Sequence, residues 1–126
     1  TVRELPEVPL PSDPSPAQID AALKKEGESI LQHTDPAAYV VALCVEGKGL
    51  TSQQFARQLE QVALSGKSRL CLYIGSSFGL SPEAKARAAL RLSLSPMTLP
   101  HQLARVVLCE QLYRAFQIQS GGKYHK

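Results

Sequence analysis

The sequence predicts an α/β domain with a mainly parallel sheet flanked by helices on both faces. Three observations carry that prediction. Two apolar runs, Ala38–Val45 (AYVVALCV) and Leu70–Ile74 (LCLYI), have strand length and no polar alternation, as strands buried on both faces do. Segments with helical spacing stand before, between and after them. The openings Ser15-Pro16, Thr51-Ser52 and Ser81-Pro82-Glu83 carry helix-start signatures. Strands that alternate with helices imply parallel pairing. At 126 residues the chain fits one domain spanning 1–126, with a proline-rich lead-in at 1–15 and a tail at 120–126.

The opening TVRELPEVPLPSDPSPAQ holds five of the nine prolines. Val2–Leu5 has the composition of a short strand, and Pro6 to Pro14 reads as a stiff connection. From Ser15-Pro16, Ile19, Leu23, Ile30 and Leu31 recur near helical spacing through about His33. The strand Ala38–Val45 follows and is expected to break at Gly47 and Gly49. Thr51 or Ser52 then caps a helix carrying Phe55, Leu59, Val62 and Ala63, which Gly66 stops. After Leu70–Ile74 comes the turn GSSFG, then a third helix from Ser81-Pro82 to about Leu90. Leu92–Leu94 reads as a short third strand, and Pro100 opens a long helix to about Gln119. Projected at ~100° per residue, that last helix shows apolar side chains on every side, so it is expected to be covered on more than one face. Either its own sheet or a second copy of the chain can do this.

Composition excludes some classes. No apolar run approaches the roughly 18 residues of a membrane-spanning helix, and no basic start with an apolar stretch marks a secretory leader. Cys44, Cys71 and Cys109 form no CxxC pattern, so neither a disulfide framework nor a zinc site is expected. Free buried thiols in a reducing cytoplasm fit better. Three scattered histidines make no metal-ligand constellation. The net charge of +3 is asymmetric: residues 1–65 carry five Lys/Arg against nine Asp/Glu, and residues 66–126 carry nine against two. A basic half suits a polyanion, though it also suits an ordinary solvated surface.

In parallel sheets, ligands bind outside the carboxyl ends of the strands. The loops CVEGKG, GSSFG and SPMTLP are expected together on that rim. The stretch SLSPMTLPHQLARV is unusual, because its serines and prolines suit a surface loop while Leu94, Met97 and Leu99 suit burial. It is either a packed connection or the wall of a pocket. Gly75 to Gly79 matches G-x-S-x-G, a serine-hydrolase pattern with Ser77 as nucleophile. The following helix signal begins too late for that motif, and a glycine turn allowing close backbone approach fits better. His101 follows Pro100 at the positive end of a helix, one turn from Arg105. Glu110 and Arg114 at the same spacing read as a helix salt bridge.

The segment IGSSFGLSPEAKARAALRLSLSPMTLPHQLARVVLCEQLYRAFQIQSGGKYHK resembles the ribosomal large-subunit RNA pseudouridine N3-methyltransferases of the SPOUT, or α/β-knot, superfamily. The motifs are the glycine turn with LSPE, SLSPMTLPHQLARV, EQLYRAFQI and the terminal YHK. LCVEGKGLTSQQFA extends the likeness over most of the chain. This resemblance implies a C-terminal trefoil knot, a homodimer and S-adenosyl-L-methionine as cofactor. It implies the ribosome, through its large-subunit RNA, as partner, with no metal and no membrane. By motif position, Leu43, Gly75, Ser76, Ser95, Pro96, Met97, Thr98, Leu99 and Pro100 would bind the cofactor. His101, Arg105, Tyr124, His125 and Lys126 would meet the RNA, and His101, Arg105 and His125 would serve catalysis.

Against the family pattern, Thr1 falls at the second strand, so the first strand and helix are expected to be lacking. Ser76 replaces the second glycine of the turn, and Cys44 stands at a common aspartate. The implied function is S-adenosylmethionine-dependent methylation of N3 of a pseudouridine. A relative that binds ribosomal RNA without catalysis, and a hydrolase using Ser77, are the alternatives.

Overall fold

The computed structural model describes residues 2–122. In chain order the elements are α1 (Pro16–Gln32), β1 (Tyr39–Gly49), α2 (Ser52–Leu64), β2 (Leu70–Tyr73), α3 (Pro82–Arg87), β3 (Leu90–Ser93) and α4 (His101–Gln119). The strands form a parallel sheet in the order β2-β1-β3. Tyr39 to Ala42 pair with Leu70 to Tyr73, and Val41 to Leu43 pair with Leu90 to Leu92.

Side chains of β1 alternate between two cores, which explains its unbroken apolar run. Val40, Ala42 and Cys44 pack with Tyr73, Leu80 and Ala84, and with Ile30 from α1. Val41 packs on the opposite face with Phe55, Ala56 and Leu59 from α2 and with Leu108 and Ala115 from α4. Burying a side chain such as Phe55 contributes about 1.5–3 kcal/mol. The result is a three-layer domain with α1 and α3 on one side and α2 and α4 on the other.

Helix starts follow the local chemistry of the sequence. Ser15 Oγ accepts from the Gln18 N–H at 3.2 Å, and Gln18 Oε1 accepts from the Ser15 N–H at 2.8 Å. Thr51, rather than Ser52, caps α2 with the same reciprocal pair to Gln54. Ser81 Oγ accepts from the Ala84 N–H at 3.1 Å and caps α3.

Several boundaries differ from the sequence reading. Val2–Leu5 forms no strand, and the lead-in from 2 to 11 runs as irregular chain. β1 does not break at Gly47 but continues to Gly49, with a register shift against β3 between Leu43 and Lys48. A Cβ on Gly47 would lie 2.8 Å from the backbone of Arg91, so the missing side chain lets β3 approach. α3 ends at Arg87 because Ala88 is extended and the Ala89 N–H donates to the Val40 carbonyl at 2.9 Å. That bond draws the chain onto the sheet early, so β3 is Leu90–Ser93 rather than Leu92–Leu94.

Candidate functional site

The three loops expected at the carboxyl rim meet there. Between them lies a cleft of about 320 Å³, at the lower end of small-molecule sites. Leu43 to Glu46 of β1 form one wall, residues 74–80 a second, and Leu94, Ser95, Met97, Thr98 and Leu99 with His101 and Ala104 a third. Lys85 of α3 closes the rim, where its ammonium donates to the Glu46 carboxylate. That hydrogen bond holds the Glu46 carboxyl below its usual range.

The glycine turn is built by close backbone approach. A Cβ on Gly75 would lie 2.3 Å from the Gly79 carbonyl oxygen, and Gly79 takes φ +90°. The Gly79 N–H donates to the Ser76 carbonyl at 2.9 Å. Ser76, which adds a side chain at this turn, sends its hydroxyl to Glu26 Oε1 of α1 at 2.9 Å. Glu26 Oε2 accepts from the Val8 N–H at 2.9 Å, which ties the lead-in to the same carboxylate.

Hydroxyls also shape the loop after β3. Ser93 Oγ donates to the Ser95 carbonyl at 3.0 Å, and Ser95 Oγ accepts from the Met97 N–H at 3.0 Å. These short-range bonds use the serines to fold the loop on itself. Leu94 packs on the core beneath. Met97, expected to be buried, is exposed and lines the cleft. Pro96 and Pro100 do not line it. Pro96 is exposed in the loop, and Pro100 stands at the N-cap of α4 with φ −55° and ψ 142°. Both act on backbone shape, consistent with their fixed φ.

Of the expected RNA-facing residues, His101 lines the cleft. Arg105, one turn further along α4, is held by Glu4 of the lead-in at 2.7 Å. Tyr124, His125 and Lys126 lie outside the described residues. Glu110 pairs with Arg114 at 2.7 Å, as the spacing indicated. Ser77 is exposed in the middle of the connection between Tyr73 and Pro82. A nucleophile elbow needs a direct strand-to-helix turn at the serine. The β2–α3 connection gives Ser77 no such setting, and the hydrolase reading is dropped.

Cys44 of β1 and Cys71 of β2 join the core on the α1 and α3 side of the sheet, and burial pushes both thiols above their ordinary pKa. Cys109 is exposed on α4. Among the described residues no group of three or more His, Cys, Asp or Glu stands where it could hold a metal ion. No helix there is long and apolar enough to cross a membrane.

Sequence reasoning missed Glu26, Glu46, Lys85 and Phe78. Glu46 and Phe78 sit inside loops already assigned to the rim and carried that signal. Glu26 and Lys85 lie on helices and had none, since their partners are distant in sequence.

A parallel α/β layer carries a glycine turn and a serine-proline loop around one rim cleft. The chain belongs to the SPOUT methyltransferase family: a family model described as "Predicted SPOUT methyltransferase" matches residues 2–125. It is 46% identical over 123 residues to Ribosomal RNA large subunit methyltransferase H of Exiguobacterium sibiricum, covering 98% of this chain and 77% of that protein. The protein of the same name from Streptococcus thermophilus is 48% identical over 123 residues, with the same coverage. That of Carboxydothermus hydrogenoformans is 46% identical over 125 residues, covering 99% of this chain and 79% of the relative.

Proposed function

We propose that the cleft binds S-adenosylmethionine and that the protein methylates N3 of a pseudouridine in large-subunit ribosomal RNA. The observation that carries this reading is the convergence of three separate stretches on one cleft. Leu43, Gly75 and Ser76, and Ser95 with Met97, Thr98 and Leu99, all line it. These are motif positions that the resemblance assigns to the cofactor. The relatives named for ribosomal RNA methylation match nearly the whole chain.

The residues present fit such a cofactor. Leu43, Ile74, Leu94 and Leu99 give apolar walls, while the turn at Gly75 and the loop from Ser95 offer backbone polar groups to an adenine. Ser76 does not fill the cleft with its hydroxyl, which is engaged by Glu26. Pro96 and Pro100 set the loop's course. When bound, the cofactor supplies a methyl group on a sulfonium; transfer forms the N3–carbon bond, breaks the sulfur–carbon bond and returns its electron pair to sulfur.

The chain's part is to hold the nucleobase in line with that methyl group, where proximity supplies much of the acceleration. His101 stands on the cleft, and Arg105 lies one turn further along α4. The N3 proton must leave, and His101 or His125 accepts it. Arg105 or Lys126 stabilises the resulting ring anion. Tyr124, His125 and Lys126, which lie outside the described residues, are the further RNA contacts of this reading.

Residues 1–126 are read as one SPOUT domain working as a homodimer in the cytoplasm, where its ribosomal substrate is. Exposed Leu103, Val106, Tyr113 and Phe116 on α4 support the dimer, since they make an apolar stripe facing away from the core. The trefoil knot rests on the motif likeness of the C-terminal half. The chain spans about 77% of the length of the relatives it matches. Calorimetric titration with S-adenosylmethionine, alone and with large ribosomal subunits, tests the reading. Binding is expected in both; RNA binding without cofactor binding would mean a non-catalytic relative.

A further inference from the structure

We propose that Glu26 is a positioning residue that braces the glycine turn from outside the cleft and keeps the Ser76 hydroxyl out of it. The proposal rests on the reading that this cleft takes S-adenosylmethionine.

Glu26 lies near the middle of α1, half-buried, and uses both carboxylate oxygens. Oε1 accepts from Ser76 Oγ at 2.9 Å, and Oε2 accepts from the Val8 N–H at 2.9 Å. The next residue, Gly27, is buried against Ser81: a Cβ there would lie 2.1 Å from Ser81 Oγ. Ser81 in turn caps α3 through the Ala84 N–H. α1 therefore grips the turn at both ends, by a hydrogen bond at Ser76 and by close packing at Ser81.

Between these two anchors, Ser77, Phe78 and Gly79 are exposed and border the cleft. Inside the turn, the Gly79 N–H to Ser76 carbonyl bond and the Ser76–Gly79 bridge hold the backbone. A hydrogen bond to a charged acceptor is among the stronger fixed contacts available to such a turn. Without it, the Ser76 side chain is released to rotate toward the ligand, and binding must order the turn at a cost in affinity. The chemical step, set by residues across the cleft, is untouched.

The test is a double-mutant cycle on the full chain, reading the Kd for S-adenosylmethionine by calorimetry. Glu26→Ala and Ser76→Ala are each expected to weaken binding about tenfold, the scale of one charge-assisted hydrogen bond. The double variant is expected to lose no more than either single one. In methyl-transfer assays, Glu26→Ala raises KM for the cofactor and leaves kcat at saturation within about twofold. Glu26→Gln keeps an acceptor for Ser76 and recovers most of the affinity, which guards against a folding defect in the alanine variant. Wild-type binding with an unchanged Kd in Glu26→Ala, additive losses, or a fall in kcat matching the rise in KM overturns the brace while leaving the cofactor reading intact. A wild-type protein that binds no cofactor overturns both.

Discussion

The guanidinium of Arg105 lies 2.7 Å from the carboxylate of Glu4, joining the first turns of α4 to the lead-in. Both side chains are exposed, so the pair contributes less than about 1 kcal/mol to stability; in the proposed reading Arg105 exchanges Glu4 for an RNA phosphate. Arg105→Ala is expected to lower methyl transfer to ribosomes at least tenfold and reduce the salt slope of RNA binding by about one. Its cofactor Kd stays at the wild-type value. Glu4→Gln, which frees the arginine, is expected to tighten RNA binding. Filter binding across a salt series checks both.

Two glycines are expected to fail in different ways when given a methyl group. Gly47→Ala drives a Cβ to 2.8 Å from the Arg91 backbone and forces β1 and β3 apart. A loss of about 2 kcal/mol or more in urea unfolding is expected. Gly75→Ala drives a Cβ to 2.3 Å from the Gly79 carbonyl, inside the turn bordering the cleft. Its main effect is a loss of cofactor affinity exceeding tenfold, with a smaller shift in the urea midpoint.

The apolar stripe on α4 makes Cys109 a reporter. Val106 is 64% exposed, Tyr113 52% and Phe116 54%, and exposed Cys109 lies among them. If this face closes a dimer, Cys109 alkylates slowly at high protein concentration and quickly on dilution. Val106→Glu removes that protection and halves the mass measured by light scattering. Rapid alkylation at every concentration, with an unchanged monomer mass, would contradict the dimer.

Alkaline pH is expected to destabilise the fold through its buried acids. Burial raises the Cys44 and Cys71 thiols and the Tyr73 phenol above their ordinary values. The unfolded chain then releases these protons first. The stabilisation is complete below the unfolded values and is lost as pH climbs through the folded ones. Urea midpoints should hold near neutrality and fall from about pH 9 upward. The Cys44→Ala, Cys71→Ala double variant should show a shallower fall.

Helix starts were legible because capping is local: Ser15 with Gln18, and Thr51 with Gln54, lie within one turn. Strand ends were not, because distant backbone decides them. Gly47 is a breaker in isolation, yet here it lies inside β1, where Arg91 needs the space. Ala88 leaves α3 because the Val40 carbonyl captures the next N–H. The three rim loops were readable, and the structure brings them together as expected. Their supports were not readable: Ser76 meets Glu26 across 50 residues, and Lys85 meets Glu46 across 39. Arg105 was singled out from its spacing to His101, but Glu4 lies 101 residues away and left no sequence signal.

The most direct measurement supplies methyl-labelled S-adenosylmethionine and unmethylated ribosomes to the purified protein, then locates the label in large-subunit RNA by mass spectrometry. The account predicts one labelled pseudouridine, carrying the methyl group on N3, and much reduced labelling with a Gly75→Ala variant at a cofactor concentration near the wild-type Kd. Cofactor binding without any label in the RNA, or label on a different nucleotide, would contradict it.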